Sequence, residues 1–234
     1  MIKIMILHIP HASTDTLEKN FLCNLDLELE RMTDVDTDKL FDHPDATKVT
    51  FPISRLICEV ERFEDDSMEE MASKGMGVCY TTNSFGEPLR VLEKGEREEI
   101  IEHYYKPHHD TLTESVRAEL EETGKAIIID CHSFSNEPLP HENSQSAPRP
   151  DICIGADSFH TPVELINKTQ EYFESYGYKV AVNDPFSGTL IPMEFYQKDE
   201  RVQGIMIEVN RGLYRDDFEI VQKNITKWLG TMKG

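Results

Sequence analysis

The chain has 234 residues and carries 24 Lys plus Arg against 44 Asp plus Glu, a formal net charge of −20 at pH 7. Such a charge repels phosphate backbones and anionic membrane surfaces, and no apolar run approaches the ~20 residues of a bilayer span, so neither nucleic acid nor membrane is expected as a partner. The five cysteines are odd in number and lack CxxC spacing, which points to neither a disulfide framework nor a zinc knuckle.

The first predicted strand, 3–7, opens the chain without a basic region, long apolar segment or cleavage site, so a cytoplasmic enzyme is expected. It runs through Met5, Ile6 and Leu7 into His8, Pro10 and His11. An acidic cluster follows, Asp34, Asp36 and Asp38, which reads as a ligand source or as a solvated turn or helix start. Short strands are predicted at 49–51, 56–60 and 78–81. From 96 to 122 apolar residues recur at helical spacing, Ile100, Ile101, Leu112, Val116 and Leu120 among them; Pro107 should break or kink this helix and Gly124 should stop it.

The strand at 126–130 is short and rich in isoleucine, as suits a strand covered on both faces, and it delivers Asp130, Cys131 and His132 at the end where parallel sheets bind ligands. Residues 135–150 contain four prolines and no apolar period, a long loop that either gates a site or is a surface insertion. A strand at 151–154 comes next. Thr161, Pro162, Val163 and Glu164 read as a capping box opening a helix that ends at Gly177. Strands at 179–183 and 205–209 and a helix at 217–229 complete the chain. The alternation predicts one α/β domain over 1–234, a mixed, mainly parallel sheet flanked by helices.

Four pieces stand at strand ends or turns: His11, the acidic cluster, His132, and Glu208 in the last apolar strand. Zinc hydrolases need three protein ligands, an open position and a carboxylate that is not a ligand, and this inventory supplies them. Each piece has a structural alternative. A lone histidine after a strand is commonly a hydrogen-bonded core residue, and Glu208 has Arg211 nearby as a salt-bridge partner. Arg55 and Arg62, seven residues apart, would face opposite ways in a regular strand, so joint action needs a bend. His109 is expected to support the site by hydrogen bonding, and His8, His43, His103, His108, His141 and His160 to be solvated or structural.

Pro10-His11-Ala12, Asp34 ahead of Lys39-Leu40-Phe41, the segment 54–62, Tyr104 to His109, Asp130-Cys131-His132-Ser133, Pro150-Asp151-Ile152 and Ile207-Glu208 occur in the order and approximate spacing of the N-formylglutamate amidohydrolase family. The chain resembles that family over about residues 4–214, and the segments around His132 and Glu208 also look like those of the zinc carboxypeptidases. The resemblance implies a zinc carboxypeptidase/phosphorylase-hydrolase-like fold and metal-dependent amide hydrolysis, with N-formylglutamate to formate and glutamate as the reference reaction. It implies that His11, Asp34 and His132 hold zinc, that Glu208 is the general base, and that Arg55 and Arg62 lie near the carboxylates of a small acidic substrate. Asp36 and Asp38 remain rivals of Asp34; Co, Mn or Ni remain rivals of zinc, and the oligomeric state is open. Ser13 and Gly188-Thr189 depart from the glycines common in the family, so the metal chemistry transfers better than the substrate. A carboxypeptidase-like or deacylase hydrolase of another N-acyl amino acid or short peptide is the runner-up. A non-catalytic metal- or ligand-binding protein is the alternative of another class, against which a non-ligand carboxylate such as Glu208 argues.

Overall fold

A computed structural model describes residues 5–232. Six strands form one sheet in the order β2-β1-β3-β6-β4-β5: β1 (Met5–Ile9), β2 (Ala46–Thr50), β3 (Ala126–Phe134), β4 (Ile152–Gly155), β5 (Val180–Val182) and β6 (Val202–Asn210). Pairs β1–β2, β1–β3, β3–β6 and β4–β5 are parallel and β4–β6 is antiparallel, giving the mixed, mainly parallel sheet that the sequence predicts. Positions 3 and 4 of the first predicted strand lie outside the described residues.

The register sorts side chains onto two faces, because residues two apart on a strand point the same way. Ile6 pairs with Ile128 and His8 with Asp130 across β1–β3, while Asp130 pairs with Met206 and His132 with Glu208 across β3–β6. One face therefore carries His8, Asp130, His132 and Glu208 toward the strands' carboxyl ends. Nearer their starts, Ile6, Ala126, Ile128 and Val202 pack with Leu112 and Val116 of α4 (Lys106–Thr123). The other face is apolar throughout: Leu7, Ile9, Ile129, Cys131, Ile205, Ile207 and Val209 bury against Phe173 of α5 (Val163–Ser175) and Val221, Ile225 and Trp228 of α6 (Arg211–Leu229).

Several predicted elements differ. Segments 56–60 and 78–81 are turns and irregular backbone, not strands: Ile57 and Cys58 N–H groups donate to the Ser54 carbonyl, and Glu59 N donates to Val78 O between the two segments. Their apolar residues are buried in clusters under the site instead of in the sheet. Two helices precede β2: α1 (Leu25–Met32), which is not among the predicted elements, and α2 (Thr37–Leu40), which starts at the acidic cluster as one of its readings has it. The long helix is α3 (Glu96–Ile100), a π-helical turn (Ile101–Tyr105) and α4 in continuity. Pro107 sits at the second position of α4, where the widened turn before it accommodates the missing N–H, so the helix is not broken.

Thr161 does not form a capping box. Its hydroxyl donates to the Gly204 carbonyl at 2.7 Å, and Pro162, the cap residue, has no side-chain donor or acceptor. Helix α6 begins at Arg211, and a non-helical Asp217 (φ −130°, ψ 45°) divides it where the predicted helix would start.

Candidate metal and substrate site

A cavity of about 380 Å³ opens at the carboxyl ends of β3 and β6, lined by His11, Asp34, Arg55, Glu61, His132 and Glu208 among others. His132 and Glu208 arrive as register partners on adjacent strands. His11 follows β1, and its carbonyl accepts from Asp34 N at 3.0 Å, which ties the turn after α1 to the end of the first strand. Asp34 is buried there, whereas Asp36 pairs with Lys39 away from the cluster, so Asp34 alone of the three acidic rivals reaches the histidines. Asp36 holds φ 60° ahead of α2, a left-handed conformation that aspartate tolerates better than most residues.

The two histidines present one nitrogen each to Asp34 and the other to fixed carboxylates. Asp34 Oδ2 is 3.1 Å from His132 Nδ1 and 3.5 Å from His11 Nδ1. On the far sides, His11 Nε2 is 2.6 Å from Glu59 Oε1, and His132 Nε2 is 3.1 Å from Asp130 Oδ1 and 3.2 Å from Glu61 Oε1. Glu59 is itself clamped by Arg55 Nε at 2.9 Å and the Tyr80 hydroxyl at 2.9 Å, so its hold on His11 is preset. Among the buried atoms without hydrogen-bond partners in the described residues, five belong to residues that line the cavity: His11 Nδ1, Arg62 Nε, Ser133 Oγ, Glu208 Oε2 and Arg211 Nε.

The electrostatics follow from charges crowded out of water. Burial alone would raise the Asp34 carboxyl, but the adjoining His11 and His132 hold it below the usual carboxylate range. Glu59 behaves likewise: against its burial, Arg55 and then His11 keep it ionised. His132 rises well above an ordinary histidine, since Glu61, Asp130 and Asp34 outweigh the desolvation that would lower it. Glu208 has no such partner. Burial, reinforced by Asp34 and Glu61 and opposed by His132, pushes its carboxyl up to about 8.

These features fit a divalent cation. Imidazoles whose remote nitrogens are held by carboxylates are the arrangement that orients metal-binding histidines, and a bare Nδ1 facing a carboxylate is an unsatisfied donor set. His11, Glu61 and His132 also offer ligand atoms within 4.8 Å of one another. That grouping is disfavoured as the principal site because it uses the His11 nitrogen already held by Glu59. The Nδ1 side with Asp34 leaves no such conflict.

The remaining expected site residues distribute as follows. Arg55 and Arg62 both line the cavity, because 54–62 is a turn and strand alternation does not apply. Arg55 is committed through Nε and Nη2 to Glu59, whereas Arg62 Nε has no hydrogen-bond partner among the described residues and its nearest ion pair, with Glu69, is 3.8 Å long. Arg211 is not the partner of Glu208; its guanidinium donates to the carbonyls of Glu30, Arg31 and Thr33. His109 donates toward or accepts from no ligand residue: its Nε2 is 2.8 Å from the Val60 carbonyl and its ring packs on Tyr105. Thr189 packs beside Gly204, where a Cβ would lie 3.0 Å from its methyl, and it lines a neighbouring cavity instead of the main one.

The 135–150 loop forms one wall of the main cavity through Leu139, His141, Glu142 and Asn143. Arg149, buried between the rings of Phe134 and Phe186 at 5.6 and 5.5 Å, pairs with Glu142 and folds the loop back on itself. Sequence reading missed Glu59, Glu61, His8 and His108. For His8 the only signal was strand parity, which becomes legible once β1 is paired with β3; His108, on α4, had none.

A parallel-dominated α/β sheet with a buried His and carboxylate cluster at its strand ends defines the class to which hydrolases of this architecture belong. The model of the N-formylglutamate amidohydrolase family matches residues 4–215. Two curated relatives named N-formylglutamate deformylase are similar. The one from Pseudomonas putida is 24% identical over 74% of this chain and 66% of its own length, and the one from Pseudomonas aeruginosa is 23% identical over 91% and 82%. Among solved structures, an N-formylglutamate amidohydrolase from Ralstonia eutropha JMP134 superposes with a TM-score of 0.82 at 20% identity, covering 99% of this chain and 94% of that one. A gene product of Agrobacterium tumefaciens superposes at 0.67 and 18% identity, covering 99% and 88%. The chain belongs to the N-formylglutamate amidohydrolase family.

Proposed function

We propose that the protein is a metal-dependent amidohydrolase, one catalytic domain that cleaves the amide of a small acidic N-acyl amino acid, with N-formylglutamate giving formate and glutamate as the reference reaction. The observation that carries this reading is Asp34 Oδ2 set 3.1 and 3.5 Å from the Nδ1 atoms of His132 and His11, in a cavity where His11 Nδ1 and Glu208 Oε2 are among the buried atoms without a hydrogen-bond partner. His11, Asp34 and His132 would hold zinc, with Glu59 and Asp130 fixing the two imidazoles from behind. Zinc bound there supplies Lewis-acid activation of the acyl carbonyl and of a water molecule.

Glu208 is the proton carrier. Its unpartnered Oε2 takes the proton from the attacking water and passes it to the amine nitrogen as the amide bond breaks. Its elevated carboxyl suits both acceptance and return of a proton, and a cation beside Asp34 offsets the negative charge that helps to raise it. Arg62 orients a substrate carboxylate by charge-assisted hydrogen bonds; Arg55, bound to Glu59, stiffens His11 while lining the same cavity.

A second reading concerns the acyl group. A smaller cavity of about 180 Å³ shares Glu61 and Arg62 with the main one and is lined by Val60, Leu190, Ile191 and Met193. That apolar chamber favours a deacylase that takes acyl groups larger than formyl. Rates on N-formyl-, N-acetyl- and N-butyrylglutamate separate the two: the reference reading expects kcat/KM to fall with acyl length, the second expects it to rise. Hydrolysis of none of the three, by metal-loaded protein, would overturn both.

A further inference from the structure

Behind His132 lies a second set of donors, of which the proposed chemistry uses only Asp130, as the partner that orients His132. His8 Nδ1 is 2.7 Å from Asp130 Oδ1 and 3.9 Å from Glu61 Oε1. His8, Glu61 and Asp130 thus form a group whose ligand atoms all lie within 4.8 Å of one another. We infer that His8, Asp130 and Glu61 form a second divalent-cation site, on the Nε2 side of His132, distinct from the site that His11, Asp34 and His132 make on its Nδ1 side.

Geometry supports this. Ligands ~2.0–2.2 Å from a tetrahedral zinc stand ~3.3–3.6 Å apart, and the His8–Asp130 and His8–Glu61 separations of 2.7 and 3.9 Å bracket that span. Glu61 is the one partly exposed member of the set. His8 and Asp130 are fully enclosed, with 0% and 1% exposure, and are held from behind as metal ligands are. His8 Nε2 is 2.8 Å from His108 Nε2, so one of these nitrogens donates; when His8 is the donor, its Nδ1 lone pair faces Asp130 and Glu61. Asp130 Oδ2 accepts from Leu190 N at 2.8 Å, which leaves Oδ1 toward the donor group.

Charge supports it as well. Glu61 faces His8, His11 and His132 but has no Lys or Arg in ion-pair range among the described residues, unlike Glu59, which Arg55 neutralises. Two carboxylates and a neutral imidazole carry the charge that one dication balances, and this mixed oxygen and nitrogen set suits Zn²⁺ or Mn²⁺. His132 Nε2–H continues to donate toward Asp130 and Glu61, so neither site requires His132 to lose a second proton.

The inference rests on the proposed function only for the first ion, and the test separates them. Metal-free protein is titrated with Zn²⁺ and, separately, Mn²⁺, reading bound metal per chain by equilibrium dialysis and elemental analysis. Two equivalents are expected. Glu61→Gln and His8→Phe should each weaken the second equivalent by more than the ~10–100-fold that loss of an outer partner costs, and weaken the first, whose His132 is held from behind by Glu61 and Asp130, by no more than that. Asp34→Asn should do the reverse. Glu61 is partly exposed and its carboxylate contacts histidines of the cluster, so its isosteric variant decides the matter if His8→Phe fails to fold. One equivalent, indifferent to Glu61→Gln, overturns the second site and leaves the first standing. Loss of the first equivalent in Glu61→Gln also overturns it and makes Glu61 a ligand of the principal site. No binding at all overturns both.

Discussion

The two faces of one sheet have been built to opposite rules. On one, Leu7, Ile9, Ile129, Cys131, Ile205, Ile207 and Val209 meet α5 and α6 in an apolar layer. On the other, strands that begin as apolar end in His8, Asp130, His132 and Glu208, and the turns above add His11, Asp34, Glu59 and Glu61. Because β3 contributes Ile129 and Cys131 to one face and Asp130 and His132 to the other, the same nine-residue strand anchors the fold and carries the chemistry. Burying ionised groups is costly unless they are paired or bind a cation. A rigid apolar layer directly behind them is what holds such a cluster in place.

The largest break in this comparison is His132→Ala. It removes a nitrogen facing Asp34 and a donor to Asp130 together, so the metal equivalent held by His11, Asp34 and His132 and turnover should both disappear while the apolar layer keeps the fold. Elemental analysis and circular dichroism check the two halves; a folded variant that retains its metal at wild-type affinity means that His132 is not a ligand.

Glu208→Gln comes next. The amide keeps the shape but loses the basic oxygen, so turnover should fall ~10²–10⁴-fold with metal content unchanged. A carboxylate base must be ionised, so the wild-type rate should decline as pH drops through the Glu208 pKa, and that acid limb should vanish in the variant. Loss of metal instead would make Glu208 a ligand.

On the opposite face, Trp228→Ala sharpens the contrast. Trp228 is fully buried, with its ring 5.5 Å from Phe173 and its Nε1–H donating to Thr169 at 3.3 Å. Truncation should cost ~3–5 kcal/mol of stability in a denaturant titration, with metal affinity preserved in the fraction that remains folded. A metal affinity that falls as far as stability would show that the faces are not separable.

The smallest effect separates two arginines of the same turn. Arg62→Met should raise KM for an acidic amide more than for a neutral one, since one charge-assisted hydrogen bond contributes about 1.5–3 kcal/mol. Arg55→Met should instead free Glu59 and weaken metal affinity, with no preference between acidic and neutral substrates. Identical behaviour of the two variants would reject this division of labour.

Much of this contrast was legible in the chain, for a definite reason. Buried parallel strands read as continuous apolar runs, so β1, β3 and β6 stand out, and a histidine or glutamate that ends such a run is conspicuous. What an apolar run reports is burial and not strand, and Leu56 to Val60 is buried in turns. Helix α1 is short, its apolar period being only Leu25, Leu29 and Met32 among Asp, Glu and Arg, and Asn24, whose side chain accepts from Leu27 N, is its other local sign. The hidden members of the cluster, His8 and His108, depend on register and on which face α4 covers, and neither is written in local spacing. Asp34 could be told from Asp36 and Asp38 only once the turn after α1 was tied to His11.

The most direct test of the central claim, that a cation held by His11, Asp34 and His132 makes this cavity hydrolytic, is N-formylglutamate hydrolysis before chelation, after exhaustive chelation, and after return of Zn²⁺. The account predicts activity that falls to background with loss of metal and returns when Zn²⁺ rebinds. Undiminished release of formate and glutamate by protein shown to be metal-free would contradict it.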